Sequence, residues 1–382
     1  MRLGVNARRL AGQRLGIGRY IEYLVKHWQR MLDPADRVVL YVQDSRGTDD
    51  LQKPDTVITK QLGPRLTGLL WENVLLPPRA NEMDVLFGPS YTMPLMYPGR
   101  NVVVIHSLNE AQSGAHPWWY NFTYSQIYRL SAQKADVVIV PSESAKGDVQ
   151  KFYGIPASKI EIVAEGVDEY FRPVGDEELL RATRRRYLGA DRPYILFVGK
   201  LSQRRNIPTL MTAFSILKKR EKIPHSLLLF GPNHLNLPLQ RLVQELEITD
   251  SVVQTDGRVE NHQELVAVYS AAALYVNASL YEGFSLTLVE AMACGLPVVT
   301  VNRAALREIA GDAALLVDEP TADSLADAMA RVLKDSDLCQ ELRAKSVKRA
   351  RMFRWEDTAR RTLDILRRVA VDKFSKKRFY FH

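Results

Sequence analysis

Short runs of Val, Ile and Leu alternate along the chain with longer stretches whose apolar residues recur at three- and four-residue spacing. After a strand that begins almost at Met1, the first half carries such runs at 38–42, 85–87, 102–105, 137–140 and 160–163. The second half carries them at 194–198, 227–230, 274–276, 298–301 and 314–317. Runs this uniformly apolar predict strands buried on both faces, as in parallel sheets covered by helices. Two series predict two doubly wound α/β domains. The first ends at Tyr170-Phe171-Arg172-Pro173-Val174-Gly175, and the polar stretch 176–191 leads to the second, giving domains at 1–175 and 190–354. Beyond Pro320 the pattern is helical, with Leu325, Met329 and Leu333 in register. A last long helix starts near Trp355 and sets Ala359, Leu363, Leu366 and Ala370 on one stripe.

A length of 382 residues agrees with two cores rather than one. Two cysteines, Cys294 and Cys339, form no Cys-x-x-Cys pair and suggest no disulfide framework, so a reducing, cytoplasmic setting is expected. No apolar run reaches the ~20 residues that span a bilayer, and no signal-peptide pattern opens the sequence. The net charge of +8 points to nucleic acid, an anionic membrane surface or a negatively charged small substrate. The basic clusters, such as Arg184-Arg185-Arg186 and Lys376-Lys377-Arg378, are scattered and lack a nucleic-acid-binding signature. Nucleic acid is therefore the weakest of the three. The tail 373–382 mixes Lys and Arg with Phe374, Phe379, Tyr380 and Phe381, a composition suited to an anionic leaflet or to a solvated terminus.

The chemistry concentrates in Tyr281-Glu282-Gly283-Phe284-Ser285-Leu286-Thr287-Leu288-Val289-Glu290-Ala291-Met292-Ala293-Cys294-Gly295-Leu296-Pro297. Gly283 permits a tight turn, Ser285 is placed to cap the helix that follows, and Gly295 and Pro297 end it. A helix N-terminus attracts phosphate. Leu286, Leu288, Val289 and Met292 make the helix apolar on most sides, so Glu290 belongs in or beside a core and needs a partner. An anion site between two hydroxyl-binding carboxylates suits a nucleotide sugar. Lys200 and Arg205 follow the strand at 194–198, where doubly wound sheets bind ligands, and could neutralise a leaving diphosphate. His106 ends the run at 102–105, again at a strand's carboxyl end. Gly16-Ile17-Gly18 lacks the third glycine of a dinucleotide fingerprint, since position 21 is Ile21. Asp335-Ser336-Asp337 sits between two helical patterns and reads as a cap rather than a metal site.

The run from Glu282 to Val299 resembles the E-x7-E signature of retaining GT-B glycosyltransferases, glycosyltransferase family 4 (glycosyl transferases group 1). The resemblance implies two Rossmann-like domains facing a central cleft, with the C-terminal helix 355–382 completing the first. It implies that Glu282 contacts donor-sugar hydroxyls and Glu290 the ribose. The amides of Gly283, Phe284 and Ser285 would face the diphosphate and sugar. Lys200 and Arg205 resemble the family's phosphate-binding pair with the two cation types exchanged. His106 stands where the family's histidine lines the donor-sugar pocket, followed by Ser107 instead of the usual Asp. Gly16 matches the N-terminal glycine loop that approaches the donor phosphate. Asn277-Ala278-Ser279 replaces a usual Pro-Ser pair.

These readings imply a metal-independent retaining hexosyltransferase without a cofactor, since the nucleotide sugar is a substrate. The donor would be GDP-mannose or a UDP-hexose. The acceptor would be a glycan or a lipid-linked acceptor, as in bacterial cell-surface polysaccharide synthesis, with the protein cytoplasmic or peripheral on the membrane's inner face. The competing class is a catalytically weak or inactive homologue that binds a sugar or a partner.

Overall fold

The computed structural model describes residues 1–10, 16–46, 48–53, 55–64, 66–108 and 118–371, the side chains of 118–122 excepted. Two compact units divide the chain: Met1–Gly166 with the segment from Trp355, and Val167–Arg354. In the first, a 7-stranded sheet contains β1 (Arg2–Asn6), β2 (Arg37–Val42), β3 (Val57–Gln61), β4 (Val85–Gly88), β5 (Asn101–Val104), β6 (Val137–Val140) and β7 (Ile160–Ile162). Their order is β3-β2-β1-β4-β5-β6-β7 and every pair is parallel. In the second, a 6-stranded sheet contains β8 (Tyr194–Val198), β9 (Ser226–Phe230), β10 (Val252–Thr255), β11 (Leu274–Asn277), β12 (Val298–Val301) and β13 (Leu315–Val317). Its order is β10-β9-β8-β11-β12-β13, again all parallel. Both units are doubly wound, with the strand order reversing at β1/β4 and at β8/β11.

The interior strands bury every residue where the apolar runs are longest: all of Tyr194–Val198 and all of Asn101–Val104 are buried. Two strands escape the reading from apolar runs, Val57–Gln61 and Val252–Thr255, and both are edge strands. Their outer residues meet solvent, so Lys60, Gln61 and Gln254 interrupt the apolar pattern. The proposed helices appear as Ala322–Lys334, Ser336–Ala350 and Trp355–Val371. Asp335 caps the second of these, its carboxylate accepting from the Leu338 amide at 2.9 Å. This is the structural role its sequence position suggested.

The helix Trp355–Val371 packs in the first unit against Ile17–Trp28. Its stripe Ala359, Leu363, Leu366 and Ala370 is buried, Trp355 stacks on Tyr23 at 5.0 Å, and the Trp28 indole donates to the Ala359 carbonyl at 2.9 Å. The basic aromatic tail 373–382 lies outside the described residues. Residues 167–175, assigned above to the first domain, pack within the second unit instead. The Val167 amide donates to Phe353 at 2.9 Å, and Phe171 meets Tyr269 edge-on at 5.9 Å. The aromatic pair Tyr170-Phe171 therefore opens the second unit's packing rather than closing the first's. No helix among the described residues is long and apolar enough to cross a membrane.

Trp28 is fully buried and also lies 5.9 Å from the Phe87 ring. Trp28→Ala should lower stability by about 3–5 kcal/mol. Trp28→Phe, which keeps most apolar area but loses the indole bond to the Ala359 carbonyl, should cost less, about 0.5–1.5 kcal/mol. Urea denaturation of the three proteins measures the ranking.

Candidate active site

In an open parallel sheet, ligands bind beyond the carboxyl ends of the strands, at the crevice where strand order reverses. In the second unit that point lies between β8 and β11. The segment after β8 is Gly199-Lys200-Leu201-Ser202-Gln203-Arg204-Arg205, and that after β11 runs from Ala278 to Ser285. Their side chains meet on Glu282.

Glu282 is buried, 8% exposed. Arg204 Nη1 lies 3.0 Å from its Oε2 and Arg205 Nη1 3.3 Å from its Oε1, where the Ser279 hydroxyl also donates at 3.0 Å. Burial alone would raise the carboxyl's pKa, but Arg205 and Arg204 outweigh it and hold Glu282 below the ordinary carboxylate value. The group is a fixed anion with spare lone pairs, suited to accept from hydroxyls.

The loop around it is knotted by Asn277, which is fully buried. Its Oδ1 accepts from the Ser279 amide at 3.0 Å and its Nδ2 donates to Ser285 Oγ at 3.2 Å, while Thr300 binds its carbonyl at 2.9 Å. One amide side chain thus supplies the rigidity that a proline would. Ser285 departs from expectation. It occupies the N-cap of Leu286–Ala293 at φ 104°, and its side chain makes no capping bond because the hydroxyl is engaged by Asn277. The helix N-terminus is left without a side-chain cap, which favours an anion there. A non-glycine residue at this φ is strained, as is common at functional sites. Gly283 and Phe284 are buried in the same turn, the Phe284 ring edge-on to Phe353 at 5.6 Å. The Phe284 side chain is core, so only its backbone is available to a ligand.

Glu290, 2% exposed, lies one turn into the helix and accepts from the Tyr269 hydroxyl at 2.7 Å. The partner that burial requires is thus a tyrosine, whose own pKa is driven up by burial and then by Glu290. Lys200 is exposed. Arg205 lies across Gly199, where a Cβ would come within 2.8 Å of its Nη1. Gly231 is tighter still: a Cβ there would sit 2.0 Å from the Gly199 carbonyl oxygen, so hydrogen alone separates these two backbones.

In the first unit His106 follows β5 with both ring nitrogens engaged. Nδ1 lies 2.7 Å from Glu165 Oε1, and Nε2 donates to the Pro89 carbonyl at 2.9 Å. The carboxylate that orients it is Glu165, far along the chain, rather than the neighbour at 107. Ser107 instead shares a hydrogen bond with Tyr91 at 3.1 Å. Gly16, at φ 51°, stands at the N-cap of Ile17–Trp28 and is exposed. A second buried carboxylate, Glu72, joins the unit's own switch point. It accepts from Asn6 at 2.6 Å and Thr92 at 2.8 Å, with Arg8 at 3.2 Å. Neither Glu165, Glu72 nor the role of Arg204 carries a local sequence signal, because each pairing joins distant segments. Among the described residues no group of three or more His, Cys, Asp and Glu could hold a metal ion.

The profile for Glycosyltransferase Family 4 matches residues 15–170, and that for Glycosyl transferases group 1 matches 182–352. The chain is 26% identical over 234 residues to O-antigen chain mannosyltransferase B of Escherichia coli, covering 61% of each protein. It thus spans less than two thirds of that relative's length. It is also 26% identical over 293 residues to a GDP-mannose-dependent alpha-(1-6)-phosphatidylinositol monomannoside mannosyltransferase of Mycobacterium tuberculosis, covering 74% of this chain and 75% of that one. Among solved structures, sucrose-phosphate synthase from Thermosynechococcus elongatus superposes with TM-score 0.76 at 22% identity, over 96% of this chain and 98% of the other. That likeness establishes the fold, two parallel-sheet α/β units of GT-B type.

A carboxyl held below its ordinary value contributes stability that is present above the unfolded value, about 4.3, and is lost as pH falls through the folded value. Glu282→Gln removes the anion and leaves Arg204 and Arg205 facing a neutral amide. The variant should be less stable than the parent at neutral pH, by about 3–5 kcal/mol, and the gap should narrow below about pH 4. Denaturation midpoints of both proteins across the acid range check the sign.

Proposed function

We propose that this chain, which belongs to glycosyltransferase family 4, is a retaining hexosyltransferase that moves mannose or a related hexose from a nucleotide diphosphate to a glycan or lipid-linked acceptor. The observation that carries the reading is the buried Glu282 anion under two guanidiniums, beside an uncapped helix N-terminus at the β8/β11 switch point. The donor would lie across that point. Its diphosphate would take the Arg205 guanidinium, the Lys200 ammonium and the amides of Gly283, Phe284 and Ser285. Charge that builds on the leaving phosphate would then meet preorganised donors, which is where such sites gain most of their rate. Glu282 would accept from the sugar's hydroxyls. Glu290, steadied by Tyr269, would accept from the ribose. For Gly16 and His106, on the first unit, we retain the roles implied by the family resemblance, phosphate approach and sugar contact.

GDP-mannose is the donor we favour. Its support is the naming of the relatives, an O-antigen mannosyltransferase and a GDP-mannose-dependent enzyme acting on a phosphatidylinositol mannoside. A lipid-borne acceptor also suits the net charge of +8, which would draw the protein to an anionic membrane surface. We propose further that the reaction uses neither metal nor cofactor.

The test is a thermal-shift screen with GDP, UDP, ADP and their sugars, because a bound ligand raises stability by mass action. GDP-mannose should give the largest shift, and a larger shift from a UDP- or ADP-sugar would reassign the donor. With a working donor, Lys200→Ala and Arg205→Ala should each lower turnover by about 100-fold. Activity should persist in EDTA, and the product should keep the donor's anomeric configuration. Rescue of an EDTA-treated enzyme by Mn²⁺, or inversion at the anomeric carbon, would overturn those parts of the reading.

A further inference from the structure

Two adjacent arginines reach the same carboxylate, and the structure assigns them different tasks. We infer that Arg204 is a positioning residue for Glu282, and that it thereby leaves Arg205 as the guanidinium open to the donor's diphosphate. The inference rests on the reading of Glu282 as the sugar contact.

Arg204 is tied to three consecutive residues of the site loop. Its carbonyl accepts from the Leu280 amide at 2.9 Å, and its Nη1 donates to the Tyr281 carbonyl and lies 3.0 Å from Glu282 Oε2. With the Ser279 hydroxyl on Oε1, the carboxylate is gripped on both oxygens and its plane is set. A flexible carboxylate would have to be ordered by each arriving sugar; this one is ordered beforehand, and a bound sugar is spared that entropy.

Arg205 is held differently. Its Nη1 is 3.3 Å from Glu282 Oε1, a charge contact that falls short of a hydrogen bond. Both Nε and Nη1 are buried without a hydrogen-bond partner. Buried donors left unmatched are costly, and an arginine fork fits phosphate oxygens on two N–H groups at once. The guanidinium lies over Gly199, at the end of β8, with Phe197 5.9 Å beneath it. It is therefore placed at the switch point with donor capacity unused, whereas Arg204 spends its capacity on the loop.

The experiment compares Arg204→Ala, Arg204→Lys, Arg205→Ala and Glu282→Gln with the parent by calorimetric titration of GDP, GDP-mannose, UDP and UDP-glucose. A crystal structure of Arg204→Ala accompanies it. For Arg204→Ala, affinity for the free diphosphate should stay within about twofold, while the sugar nucleotide loses about tenfold, the scale of one charge-assisted hydrogen bond. Arg204→Lys should recover part of that loss. Arg205→Ala should weaken diphosphate and sugar nucleotide alike, by about tenfold or more. In the crystal, Glu282 should turn away from Ser279. Equal losses for GDP and GDP-mannose in Arg204→Ala would make Arg204 a phosphate ligand and overturn the inference, as would unchanged binding of both. Parent-like binding of the sugar nucleotide by Glu282→Gln would instead overturn the reading of Glu282 itself. Should none of the four nucleotides bind the parent, the crystal structure decides: Glu282 remaining on Ser279 without Arg204 overturns the inference.

Discussion

A parallel strand pair cannot be closed by a tight turn, so each strand in both sheets must be followed by a crossover that carries the chain back to its starting edge. Every segment that leaves a strand's carboxyl end therefore lands on the same edge of its sheet. This is why Gly199–Arg205 and the loop from Ala278 to Ser285 meet although two intervening strands separate them in the sequence. It is also why Asn6, Glu72 and Thr92 meet in the other unit. Glycines at the same edge let the backbones close up, and at Gly231 the approach to Gly199 leaves no room for a methyl group.

Two of the buried carboxylates at these edges show how a second guanidinium in contact changes the balance. Glu72 has one guanidinium in contact, Arg8, with Arg9 acting from farther off; burial dominates and its pKa is raised, while that of Arg8 is lowered by its own burial. Glu72 Oε1 is left without a hydrogen-bond partner. Glu282 is buried comparably but has Arg204 and Arg205, and its pKa falls. The first arrangement is a poorly compensated ion pair in low dielectric, and the second is a committed anion. Only the second suits a group that must accept hydrogen bonds in every state of a ligand.

What could be read from the chain follows from how local each cause is. Interior strands were legible because burial on both faces writes an unbroken apolar run, whereas Val57–Gln61 and Val252–Thr255, at sheet edges, write half of one. The helix Leu286–Ala293 and the burial of Glu290 followed from neighbours within one turn. The capping role expected of Ser285 did not, since Asn277, on the preceding strand, takes its hydroxyl. Glu165 was illegible for the same reason: its pairing with His106 spans 59 positions and depends on β5 and the end of the first unit coming together. Arg204 and Arg205 are indistinguishable as letters, and only the direction each side chain takes separates them.

The return of the helix Trp355–Val371 to the first unit has a consequence in time. During synthesis the ribosome completes all of Val167–Arg354 before it delivers the helix that covers Ile17–Trp28. Until then Trp28 and Tyr20, both buried in the finished protein, lack a neighbour they will later have. Domains generally fold as units in order of emergence, but here the earlier unit must wait for the later one. The nascent chain thus carries an exposed apolar seam for as long as its second half takes to be made, which makes this stretch of translation the period when chaperone capture or aggregation has its best access.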